Sequence, residues 1–136
     1  MKDCIFCKIA KREIPSGIIY EDETHISFLD INPTTEGMTV VITKKHHDSD
    51  LYSNDTAVIC AIMSAAKNTA GLLKERLGCE RVLTAVEGLE IDHLHVKLYP
   101  YYGNRSAADT LTEHIGQKPT KEYLKNLADR IGFLKI

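Results

Sequence analysis

In the stretch DHLHVKLYP, Asp92 to Pro100, the residues His93, His95 and Lys97 recur at every second position. A β-strand turns alternate side chains to opposite faces. The two imidazoles and the ammonium therefore stand in one row, with Leu94, Val96 and Leu98 on the other side. Imidazole is a competent nucleophile towards phosphorus and titrates near neutrality. Lys97, roughly 7 Å beyond His95 on the same face, can meet charge that develops on a phosphate. The same pattern also suits a solvated strand face or a metal-binding pair.

A second group is Cys4 and Cys7, in CIFC. Two cysteines three apart on one helical turn share a face and can grip one zinc ion. The other two ligands must come from elsewhere, and the candidates are His46 or His47 in TKKHHD and His93 or His95. A half-buried pair of thiols without metal is the alternative. Cys60 and Cys79 lack partners and are expected to pack in the core and at a helix end. Asp30 closes a strand before Asn32-Pro33. A carboxylate there can accept both hydroxyls of a ribose, and it can equally cap a turn. Lys44 and Lys45 form a small basic patch at a strand end.

These groups need a scaffold, and 136 residues suffice for one domain, 1–136. The chain is 43% apolar and 26% charged, which supports a packed core. A net charge of −2 argues against a broad grip on nucleic acid. The start, MKDCIFCKIAKREIPSG, has no apolar signal-peptide core. The apolar-rich segment 57–73 is broken by Ser64, Lys67, Asn68 and Thr69, so no membrane span is expected. A cytoplasmic protein follows, with thiols or metal ligands rather than disulfides.

The patterning predicts a short helix over 3–11, ended by Pro15 and Gly17. Strands are expected at 18–21, 26–30 and 38–44. A long helix, capped at Ser53, Asn54 or Asp55, runs to Leu77 before Gly78. Strands at 81–88 and 93–100 follow. After a polar loop, a last helix starts near Pro119 and stops at Gly132. This order makes an α+β two-layer sandwich: a mainly antiparallel, five-stranded sheet with the long helix on one face. The apolar side of HLHVKLYP packs on that helix, and the histidine row faces a ligand or water.

Taken together, CIFCKIAKREIPSGIIYEDETHISFLDINP, GMTVVITKKHH and HLHVKLYP resemble the histidine triad (HIT) superfamily in its bacterial HINT-like branch. The resemblance covers residues 3 to about 100, and the tail beyond Tyr102, 103–136, is unmatched. It implies the same sandwich, a homodimer with sheets joined edge to edge, and nucleotides as substrates. It also implies cleavage of a phosphorus bond at the α-phosphate of a nucleoside phosphoramidate or dinucleoside polyphosphate. The middle histidine, here His95, attacks to give a nucleotidyl-histidine that water resolves. A structural zinc would be held by Cys4, Cys7, His46 and His93, which selects His46 over His47. The ribose-contacting aspartate falls on Asp30. The sequence departs from the pattern at several points. The third triad histidine is Lys97, the usual Gly-Gln is Gly88-Leu89, and the asparagine-glycine segment is TAVEGLE. These departures leave a second expectation open: a nucleotide-binding or zinc-stabilised HIT-fold protein with weak or no turnover.

Overall fold

The structure, a computed structural model, describes residues 3–136. Helix α1 (Ile5–Ala10) is followed by strands β1 (Ile18–Glu21), β2 (His25–Leu29) and β3 (Thr39–Thr43). The long helix α2 (Thr56–Leu77) leads to β4 (Arg81–Ala85) and β5 (His95–Tyr101). The tail forms α3 (Ala107–Thr112), α4 (Lys121–Ile131) and β6 (Leu134–Lys135). The strands lie in the order β4-β5-β3-β2-β1-β6. All neighbours are antiparallel except β1 and β6, which pair Tyr20 with Leu134 and Glu21 with Lys135 in parallel.

The sandwich is thus the expected one, with a sixth strand that makes the sheet mixed. Two exposed residues carry no periodicity, so β6 had no pattern to betray it. Helix α3 was likewise hidden in a polar loop; Ser106 caps it by accepting from Asp109 N–H at 3.0 Å. Strand β5 starts its ladder at His95 rather than His93, because the His93 N–H turns back to the Ile91 carbonyl.

Helix α2 begins after Asp55, not at Ser53, which ends a short 3₁₀ turn. Gly78 closes the helix at φ +65°, a left-handed conformation that costs glycine nothing. By length and composition α2 could cross a membrane; here one of its faces is the core of the sandwich. Ile62, Ala65, Leu72 and Leu73 pack on Val41, Leu94, Val96 and Leu98. Leu73 is fully buried, and truncation to alanine there costs about 2–5 kcal/mol. A buried 2.7 Å hydrogen bond between Ser27 and Thr69 pins helix to sheet.

The other sheet face carries the chemistry. At one end α1 covers it, with Phe6 and Ile9 on Ile26, Phe28, Val40 and Ile42. At the other end α3 and the segment that joins it to α4 stand over it, while α4 packs with α2 on the opposite face through Leu127 and Ile131. The Arg105 guanidinium holds the tail down by donating to the carbonyls of Thr34 at 2.6 Å, Asp109 at 2.7 Å and Glu113 at 2.9 Å. Glu36 accepts from Arg130 and Tyr123 on α4, tying the same loop to the last helix.

Candidate active site and metal centre

Alternation along β5 sorts its side chains as expected. Leu94, Val96 and Leu98 join the α2 core, while His95 and Lys97 face the other way. The imidazoles, however, are not open to solvent. His93 is 0% and His95 3% exposed, because the Phe6 ring lies edge-on to both, 5.8 and 5.0 Å between centroids. The cover comes from α1, whose first turn is drawn onto the sheet by Phe6 and Ile9.

The His95 Nδ1–H donates to the His93 carbonyl at 2.7 Å. That bond assigns the tautomer and leaves the Nε2 lone pair free, with no hydrogen bond to it among the described residues. Burial pushes the imidazole below its ordinary pKa, so it is neutral and nucleophilic near pH 7.

Next in the row, Lys97 donates to Glu87 at 3.0 Å. Burial opposes the ammonium, but the bond and charge of Glu87 outweigh it and hold the pKa above the ordinary lysine value. Lys97 is therefore a fixed cation. Glu87 is itself held low: burial would raise it, and the Leu89 N–H and Lys97 more than offset that. Lys97 opens into a cleft of about 530 Å³, shared with Asp30, Met38, Tyr99 and the α3–α4 connector from His114 to Pro119. One Asp30 oxygen accepts from Asn32 N–H at 2.7 Å, the turn-capping role; the carboxylate still lines the cleft.

The four sulfur and nitrogen candidates converge at the far end of the row. Cys4, Cys7, His46 and His93 offer ligand atoms that all lie within 4.8 Å of one another. The His93 Nδ1 is 3.3 Å from Cys4 Sγ and 3.4 Å from Cys7 Sγ, and the His46 Nδ1 is 3.4 Å from Cys7 Sγ. Tetrahedral zinc with bonds of about 2.3 Å to sulfur and about 2.05 Å to nitrogen sets sulfur and nitrogen about 3.5 Å apart. The set fits. His93 Nε2–H donates to the Thr43 carbonyl at 2.6 Å, which leaves Nδ1 as the ligand atom. Burial pushes His93 down to about 4, so the ring is neutral. Cys4 also caps α1, its sulfur accepting from Cys7 N–H at 3.4 Å. His47 stands apart; its carbonyl accepts from Leu94 N–H instead.

Of the groups now seen in the site, spacing had not singled out Phe6, Glu87, Tyr99 or the connector. Tyr99 was visible as the next member of the alternating row. The connector gave no signal, since its placement depends on Arg105 reaching back across the chain.

A family model for the HIT domain matches residues 11–103. The chain belongs to the HIT domain family. Among its HIT relatives, Protein hit of Bacillus subtilis is 30% identical over 136 residues, covering 96% of this chain and 93% of that protein. The alignment with that relative therefore takes in most of the tail as well. An adenosine 5′-monophosphoramidase of Saccharomyces cerevisiae is 37% identical over 106 residues, 76% of this chain and 65% of the yeast protein. Among solved structures, a Hit-like protein of Bartonella henselae involved in cell-cycle regulation superposes with a TM-score of 0.79 at 26% identity, covering 96% and 95% of the two chains.

Proposed function

We propose that this HIT-domain protein is a hydrolase or nucleotidyl transferase acting at the α-phosphate of a nucleoside phosphoramidate or dinucleoside polyphosphate. The observation that carries this reading is the His95–His93 carbonyl bond, which frees Nε2 on the strand face that also carries Lys97, the cation that lines the cleft with Asp30. The yeast relative's activity supports the same class. Nε2 attacks phosphorus, the leaving group departs with the bonding pair, and a nucleotidyl-histidine forms on His95. Water then attacks phosphorus and the pair returns to Nε2. Lys97 steadies the charge on the phosphate oxygens, and Asp30 takes the ribose hydroxyls.

Cys4, Cys7, His46 and His93 would hold a zinc ion, supported by their spacing and by the Thr43 bond to His93. The metal would neutralise the two thiolates and stiffen the start of β5; it takes no part in the transfer. A homodimer with sheets joined edge to edge and a cytoplasmic location complete the reading, with no nucleic acid or membrane as partner. Substitution of lysine for the third triad histidine suits the HINT-like branch only in part. The Glu87–Lys97 pair favours a second reading, nucleotide binding with weak turnover, since the cation is already engaged.

Intact mass spectrometry after incubation with adenosine 5′-phosphoramidate separates the two. A nucleotidyl adduct on wild type that is missing from His95→Ala supports the enzyme. Micromolar binding with no adduct and no turnover leaves the binding protein.

A further inference from the structure

The bond from Nδ1 to the His93 carbonyl holds the His95 imidazole at one edge. A ring held at a single point can still rock about it. Here the ring has a second support. Phe6 meets His95 in a T-shaped contact, 5.0 Å between centroids with the planes at 74°. Phe6 is itself held edge-on by Phe28, 5.7 Å away. Ile42, which pairs with His95 across the ladder, belongs to the same apolar cluster as both phenylalanines. Edge-on aromatic contacts have a preferred geometry as well as a buried area. Carbonyl and phenyl ring together therefore set both the heading of the imidazole and its tilt.

Helix α1 presents this support. Phe6 lies between Cys4 and Cys7 on the first turn, which Cys4 caps by accepting from Cys7 N–H. The ring contacts of Phe6 are with His93, His95 and Phe28. It is not among the described residues that line the cleft with Lys97 and Asp30. We propose that Phe6 is a positioning residue: its ring seats the His95 imidazole so that Nε2 is aligned for attack, and the rate of attack rather than the binding of nucleotide depends on it. A shift of about 1 Å in a reacting group can cost about a hundredfold in rate. This rests on the hydrolase reading above.

The test is Phe6→Leu, which stays apolar and loses the ring. Phe6→Met is made alongside, because its longer side chain fills more of the slot and keeps α1 seated. Measured are kcat and KM for adenosine 5′-phosphoramidate, the calorimetric affinity for adenosine 5′-monophosphate, and metal content. The expected result is a fall of about tenfold in kcat, with KM and monophosphate affinity within about twofold of wild type and metal content unchanged. An unchanged kcat would overturn the proposal. A rise in KM beyond about twofold would place Phe6 against the substrate and overturn it as well. Should both variants lose metal, their kcat is compared with that of Cys4→Ser, which keeps the ring. A further deficit of about tenfold is then expected, and equal rates would overturn the proposal. If wild type neither binds nor turns over these compounds, the hydrolase reading falls first and this proposal with it; wild-type turnover with indifferent Phe6 variants defeats this proposal alone.

Discussion

The main-chain oxygen of His93 lies 2.7 Å from the Nδ1 nitrogen of His95. One residue thus does two jobs: its ring turns towards Cys4 and Cys7, and its carbonyl orients the imidazole two places on. Because the second ring is aimed by backbone, its direction depends on the strand and not on a mobile side chain.

Replacing His95 with alanine should remove the proposed nucleophile without touching that carbonyl. Turnover of a nucleoside phosphoramidate is expected to fall by about a thousandfold or more, with no mass adduct. Steady-state kinetics decide it, and near wild-type rates would disprove covalent catalysis at this position.

Metal content tests the other end of the strand. Wild type should carry one zinc per chain by elemental analysis, and Cys4→Ser should lose it. The melting temperature should drop by at least about 5 °C, as about 1–2 kcal/mol does in a domain of this size. A chelator that strips the metal and leaves the melting curve in place would deny the ion a structural role.

Glu87 and Lys97 should pull nucleotide affinity in opposite directions. Lys97→Met removes the cation and should weaken adenosine 5′-monophosphate by about tenfold at low salt, less at high salt. Glu87→Gln releases the cation and removes a like charge from the phosphate's surroundings, so it should tighten binding by about threefold. Calorimetry at two ionic strengths reads both; a weakening by Glu87→Gln would show that the carboxylate positions Lys97 rather than competing with substrate.

Acid sensitivity should trace in part to His25, which is 3% exposed with a buried, unpartnered Nε2. Burial lowers its pKa from 6.5, against the pull of Asp22. The unfolded chain therefore takes up the proton first. Stability from this residue is complete above about pH 6.5 and declines as pH falls through the window below it. His25→Leu should flatten the fall in melting temperature between about pH 6.5 and 5; an unchanged slope would clear His25.

Arg105 is expected to hold the connector in place. Arg105→Ala frees three carbonyls from one clamp. Amide exchange in 105–119 should quicken while α2 stays protected, and kcat/KM should decline through KM. Equal protection in both proteins would mean that α4 alone secures the tail.

The sandwich was legible because its parts are strongly patterned: the apolar stripe of α2, the β-branched run 39–43 and the alternation 93–99 each permit one packing. The four metal candidates could be named, yet spacing alone left His46 and His47 equal. What separates them is the direction of the chain after β3, where the His47 carbonyl is spent on Leu94. Burial of the histidine row under Phe6 was not legible, because helix α1 could have packed on either side of CIFC. The pairing of Lys97 with Glu87 escaped too, since it depends on how the β4–β5 link folds back. The tail was least readable: α3, β6 and the Arg105 clamp are set by contacts over long sequence distances.

Gly88 sits at φ +63°, and a side chain there would collide with the Ser49 carbonyl. Ser49 in turn donates to the Gly88 oxygen at 2.8 Å. Ser49 lies three residues after His46, and Gly88 directly follows Glu87, so the two ends of the histidine row are bolted together through a contact that touches neither. Linkage then applies in both directions. By whatever factor zinc improves the affinity for a nucleotide, a bound nucleotide must improve the affinity for zinc by that same factor.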